Sequence, residues 1–143
     1  MQAAVVVLAV DGLGKWVEGG GVLDKAVVES ESLPFDEAVG FTIHAVTGLL
    51  IIPLLAIGLM VLSFFVKTPG AVRWAGAVLA LVVLQGALGL AGHTTPLLGG
   101  LHGLNALILF STAVYAAQHS RTAPAPRDLG ENLGAPAQSI SRG

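Results

Sequence analysis

AVRWAGAVLALVVLQGALGLAGHTTPLLGGLHGLNALILF, residues 71–110, carries one charged side chain, Arg73, and its apolar run breaks only at His93–Pro96. A hydrocarbon core needs about 20 apolar residues to cross as helix. The stretch therefore divides into two spans, 71–92 and 97–118, joined by a short uncharged connection. Working upstream, Lys67-Thr68-Pro69-Gly70 reads as a tight turn, and before it residues 39–66 hold no charge at all. That segment is long enough to cross with tilt, or with a kink at Pro53. Ser32, Pro34, Asp36 and Glu37 ahead of it supply helix-start chemistry: a capping hydroxyl, a first-turn proline, and acids at the positive end of the dipole.

The flanks are less regular. Ala3–Val10 is apolar but too short to cross alone, and it reads as a half-span or short first helix over 2–11. The stretch 12–37 is glycine-rich and acidic and reads as a loop outside the membrane. From Ser120 the composition turns to Pro, Ala, Gly and Ser, which predicts a disordered tail over 120–143. The fold class is all-α: an integral membrane helical bundle of three full transmembrane helices plus a short or truncated first helix, occupying 1–119 as a four-helix bundle.

Composition agrees with this reading. The 143 residues are 54% hydrophobic and 11% charged, with mean hydropathy +0.80, far more apolar than a soluble domain of this size. With no cysteine, disulfides, thiolate metal sites, iron–sulfur clusters and covalent haem attachment are all excluded. Any metal must be held by histidine, carboxylate or carbonyl. The net charge of −2 offers no basic surface for nucleic acid, and Met1–Val10 has no basic region of the kind that opens a signal peptide. Lys67, Arg73, Arg121 and Arg127 fall on one side of the membrane and the acidic loop on the other, so the positive-inside rule puts the tail in the cytoplasm. A bacterial plasma membrane is the expected location.

Three of the four histidines, His44, His93 and His102, lie near the same outward end of the spans. His44 and His102 each sit five residues inside a helix start, about 7 Å deep at about 1.5 Å per residue. A titratable side chain inside a span marks a functional site by default, because something must offset its desolvation. Helical spacing places Gly40, His44, Thr47 and Gly48 on one face, and Gly99, His102, Asn105 and Ala106 on another. Both rings are thus framed by small residues.

One reading makes His44 and His102 the axial iron ligands of a haem b, with Gly40, Gly48 and Gly99 giving the macrocycle clearance. The other makes each histidine an interfacial residue bonded to Thr47, Asn105 or a carbonyl, with no cofactor. Gln85 on the middle span and Asn105 on the last are amides for a ligand such as a quinone carbonyl, or for a neighbouring helix. His93 at the rim is a propionate partner, a quinone hydrogen-bond donor or an ordinary exposed histidine, the last being the reading its loop position favours, and His119 caps the far end of the last span. No nucleophile and base arrangement or phosphate-binding loop is present, so an enzyme is not expected.

Leu84-Gln85-Gly86-Ala87-Leu88-Gly89-Leu90, followed by Leu101-His102-Gly103-Leu104-Asn105-Ala106, resembles the second half of a haem A synthase four-helix unit. The preceding span with His44 resembles the partner helix of that unit. The resemblance covers about residues 38–120 and implies an outer-leaflet haem b site ligated by His44 and His102. The catalytic half of that family has Glu-x-x-His-Arg, whereas here Glu37 stands a full two turns before His44 and Ala45 follows it, so haem oxidation is not implied. Including Gly12–Trp16, the whole chain also resembles small four-helix bacterial membrane proteins of unknown function. The expected function is electron transfer or haem handling. The alternative is a cofactor-free accessory subunit of a respiratory or transport complex, with the lipid bilayer and other membrane subunits, or further copies of the chain, as partners.

Overall fold

The computed structural model describes residues 1–30 and 32–122, with the backbone alone at 121 and 122. It is all-helical, with no strand among the described residues: α1 (Gln2–Glu18), α2 (Lys25–Glu29), α3 (Asp36–Ser63), α4 (Ala71–Gly92) and α5 (Pro96–Thr122). Three helices, Asp36–Ser63, Ala71–Gly92 and Pro96–Ser120, are long and apolar enough to cross a membrane. Side chains such as Leu54, Leu55, Leu62, Val83, Leu107 and Phe110 stand exposed on them. In lipid such faces need no cover, and the helical backbone satisfies its own polar groups.

The second span matches its expected limits. The third begins at Pro96 and continues to Thr122, and the first ends at Ser63 instead of reaching Val66. The tail expected from Ser120 lies, beyond Thr122, outside the described residues.

Two expectations are corrected. The first helix does not stop at residue 11 but runs to Glu18, so the loop expected over 12–37 is shorter and itself contains α2 and the 3-10 turn Asp36–Ala38 that opens α3. Glycines at 12 and 14 lower intrinsic helix propensity, but packing outweighs it. Gly12 is buried against the Glu37 side chain, and the Trp16 and Phe35 rings lie 5.8 Å apart. Second, the Ser32 hydroxyl does not cap α3. It donates to Ser30 Oγ at 3.2 Å, and the N-cap is Phe35, which makes no side-chain cap bond.

The helix α3 is continuous but not uniform. Residues Thr47–Ile51 form a π turn between the α-helical pieces Val39–Val46 and Ile52–Ser63. Pro53, which has no N–H to give the Leu49 carbonyl, follows directly, and π turns inside α-helices concentrate at functional positions. The N-terminal part of α3 packs on α1 and its C-terminal part on α4, while α4 and α5 share the most extensive seam. The core is thin and built of small side chains: Ala56, Val78 and Val82, with Ile52, Leu79 and Leu109 against them. Gly70, at a φ of 78°, makes the left-handed turn into α4 that other residues adopt at a cost.

Candidate functional site

The site lies where α3, α4 and α5 converge, and α1 closes its side. The rings of His44 on α3 and His102 on α5 have centroids 6.0 Å apart, edge to face at 74°. Residues of the first and the last of the three long helices are thus brought together.

His102 is held by α4. Its Nδ1 lies 3.0 Å from the Gln85 carbonyl oxygen, which can only accept, so Nδ1 carries the hydrogen and donates. That leaves Nε2 as the acceptor, met by Gln85 Nε2 at 3.2 Å. The Gln85 amide also lies 3.1 Å from Nδ1, a contact that this tautomer leaves without a hydrogen bond. On its other side Gln85 Oε1 accepts from Asn105 Nδ2 at 2.6 Å, and the same Asn105 amide donates to the Leu81 carbonyl at 3.0 Å. Asn105 is buried at 4% exposure. Five polar groups on two helices therefore form one network, and the spacing of His102 and Asn105 on α5 matches it to one face of α4.

Gly89 makes this possible. A Cβ there would stand 3.0 Å from His102 Cε1 and 3.1 Å from Nδ1, tighter than ordinary packing. Gly89→Val is expected to push the ring off the Gln85 carbonyl and to lower stability by about 1–3 kcal/mol, as overpacking generally does. Thermal unfolding in detergent would measure that loss. A variant as stable as the parent would show that the ring is not confined there.

His44 is held differently. Gln2 Nε2 on α1 reaches its backbone carbonyl at 3.5 Å, but the imidazole Nδ1 is buried with no hydrogen-bond partner, and so is Gln2 Oε1. A buried polar atom left unpaired costs about 1–3 kcal/mol. The two imidazoles thus differ: one has a complete set of partners and its neighbour lacks one.

The expected small residues have separate destinations. Gly40 and Gly48 do not open space beside His44, because α1 takes it. A Cβ on Gly40 would collide with the Val5 carbonyl oxygen, and Gly48 faces the Gln2 amide. Gly99 has nothing within 4 Å of its Cβ direction, while its backbone lies against Gly92 at the close of the α4–α5 hairpin. His93, the C-cap of α4, is exposed and outside the pair. His119 lies at the other end of α5, stacked on Tyr115 with centroids 6.0 Å apart.

Gln2, Gly89 and the Leu81 carbonyl enter the site without having been singled out. Gly89 shares a helical stripe with Gln85 and was visible as such. Gln2 offered only a weak signal, a polar residue opening an apolar run. No protein family, curated protein or solved structure matches the chain.

Two histidines are too few for a closed structural zinc site, which takes four ligands, and the described residues hold no group of three or more metal-binding side chains. A pair of imidazoles suits a metal whose remaining ligands come from elsewhere, as in a macrocycle. Two imidazoles sharing one metal at about 2.0 Å per bond have ring centroids about 6 Å apart. This pair has that separation but stands edge to face, with both His102 nitrogens engaged by Gln85, so the rings would have to turn to share a metal.

Proposed function

We propose that the chain is a small membrane protein that holds haem b between its helices with His44 and His102, serving electron transfer or haem handling. The observation that carries this reading is the paired geometry itself: two imidazoles at 6.0 Å, one of them with a buried, unpartnered Nδ1. That orphaned nitrogen favours a metal-bearing group, because a buried polar atom without a partner calls for an explanation and an absent ligand is one. The Nδ1–H donation of His102 to the Gln85 carbonyl is the outer hydrogen bond that fixes a ligating histidine's tautomer. It would leave Nε2 as the nitrogen to hold a metal, in place of the Gln85 amide that it now meets. Bound haem would supply one-electron chemistry. The chain's own part is to orient two ligands, hold one tautomer and exclude water.

The cysteine-free sequence restricts the group to one bound without thioether links. The charge distribution supports a cytoplasmic tail end: Lys67 and Arg73 lie at that end, and Asp24, Glu29, Asp36 and Glu37 lie at the other. A second reading has one observation in its favour. The Gln85–Asn105–His102 network is complete without any cofactor, as expected of interhelical glue in an accessory subunit.

Haemin titration of the detergent-solubilised full chain separates the two. A break at one haemin per chain, absent in His44→Leu, is the expected result. Uptake that is non-saturating, or equal in His44→Leu, would favour the accessory subunit.

A further inference from the structure

The other end of the bundle contains a second, unrelated feature. Between the inner parts of α3, α4 and α5 lies a cleft of about 310 Å³, walled by Leu59, Leu62, Val78, Ala113 and Ala117 and rimmed by Thr68, Ser120 and Trp74. Its volume sits at the lower limit of ligand clefts, about 300–1,000 Å³. Trp74 is braced by Tyr115, with ring centroids 4.9 Å apart, and its indole Nε1 is buried with no acceptor. The Arg73 guanidinium lies 5.8 Å from the Trp74 ring centroid, and exposed Lys67 precedes the Thr68–Gly70 turn. No described acidic residue lies at this end: Asp11, Glu18, Asp24, Glu29, Asp36 and Glu37 all belong to α1, α2 and the start of α3.

We propose that this cleft binds an anionic glycerophospholipid, with an acyl chain between the three helices and the phosphate at Lys67 and Arg73. Each requirement has a named counterpart. The apolar walls take hydrocarbon, and the two cations at the membrane boundary take the phosphate, as basic pockets between transmembrane helices do. The indole N–H is a donor for a phosphate or ester oxygen. A free phosphate would leave the walls unfilled. A second copy docked by two-fold symmetry would bring its own Lys67 and Arg73 against these.

The test uses the full chain carrying Trp16→Phe, so that Trp74 is the sole tryptophan, in phosphatidylcholine vesicles doped with chain-brominated lipid. Brominated phosphatidylglycerol is expected to quench Trp74 at a mole fraction about 25-fold lower than brominated phosphatidylcholine, about fivefold for each of the two cations. Lys67→Ala should reduce that preference about fivefold, the worth of one surface cation, and adding Arg73→Ala should abolish it. Unchanged helical circular dichroism would confirm that both variants fold. Equal quenching by the two lipids in the parent, meaning annular contact only, would overturn the proposal. So would a preference that survives in the double variant, displacement by millimolar soluble glycerol phosphate, or shielding of Trp74 from both lipids in a dimer.

Discussion

Without haem, His44→Leu is expected to leave the bundle as stable as the parent or more stable by about 1 kcal/mol, while His102→Leu is expected to cost about 1–3 kcal/mol. The two histidines look alike in sequence, and the difference arises from their partners. Removing His102 strands the Gln85 side-chain amide nitrogen bonded to its Nε2, while the Gln85 carbonyl loses its second donor but keeps the helical one from Gly89. Stranding a buried group costs more than the net worth of the bond lost. Removing His44 strands nothing on its ring, because its Nδ1 has no partner to lose. Leucine keeps the volume and removes an unpaired polar atom, a change that is neutral to stabilising. With haem supplied, the order reverses in meaning: both variants lose the ligand, and the parent alone is stabilised by it, by an increment that grows with haem concentration. Thermal unfolding of the three proteins with and without haemin measures all of this. Equal losses for the two variants in the apo form would contradict the assignment of unequal roles. A residue whose removal costs binding but not folding is kept for function, at the expense of stability.

Gly40→Leu is expected to detach α1 from α3, with a loss of about 3 kcal/mol or more in the stability of that contact. Gly40 is buried, and any Cβ there meets the Val5 carbonyl and, at 3.1 Å, the Ala9 Cβ. A backbone oxygen inside a helix cannot step aside as a flexible side chain can, so the helices must separate, and overpacking of this kind already costs about 1–3 kcal/mol for smaller insertions. Separation would also carry away Gln2 from the His44 carbonyl. Hydrogen exchange should report it as loss of protection confined to α1 and the first turns of α3, with α4 and α5 unchanged. Protection retained throughout α1 would show that the close crossing is not required.

The three spans were legible because they are decided by length and apolarity alone, and the absence of charge over 39–66 needs no tertiary information to interpret. The first helix was underestimated for the opposite reason. Gly12 and Gly14 look like helix breakers until Glu37 packs on one of them and Phe35 meets Trp16, contacts that no local pattern contains. Within the site, helical spacing placed His102 with Asn105, and Gln85 with Gly89, on common faces. Which face meets which helix is a tertiary fact, and so the network from Leu81 to His102 emerges only in the fold. The pairing of His44 with His102 followed from matched depth. The unequal satisfaction of their ring nitrogens did not, because it depends on α4 lying against one ring and α1 against the backbone of the other.

The glycines show the same division. Gly40 and Gly48 were legible as a small face beside His44, but a small face is silent about its occupant, and α1 fills it instead of a ligand. Small-residue seams in membranes serve close helix approach generally.

The absorption and electron paramagnetic resonance spectra of the full chain purified from haem-producing cells test the central claim most directly. The account predicts a Soret band that shifts on reduction, one haem per chain, and the low-spin signal of two histidine ligands, all lost in His44→Leu. A folded, colourless protein that takes up no added haemin, with His44→Leu spectroscopically identical to the parent, would contradict it.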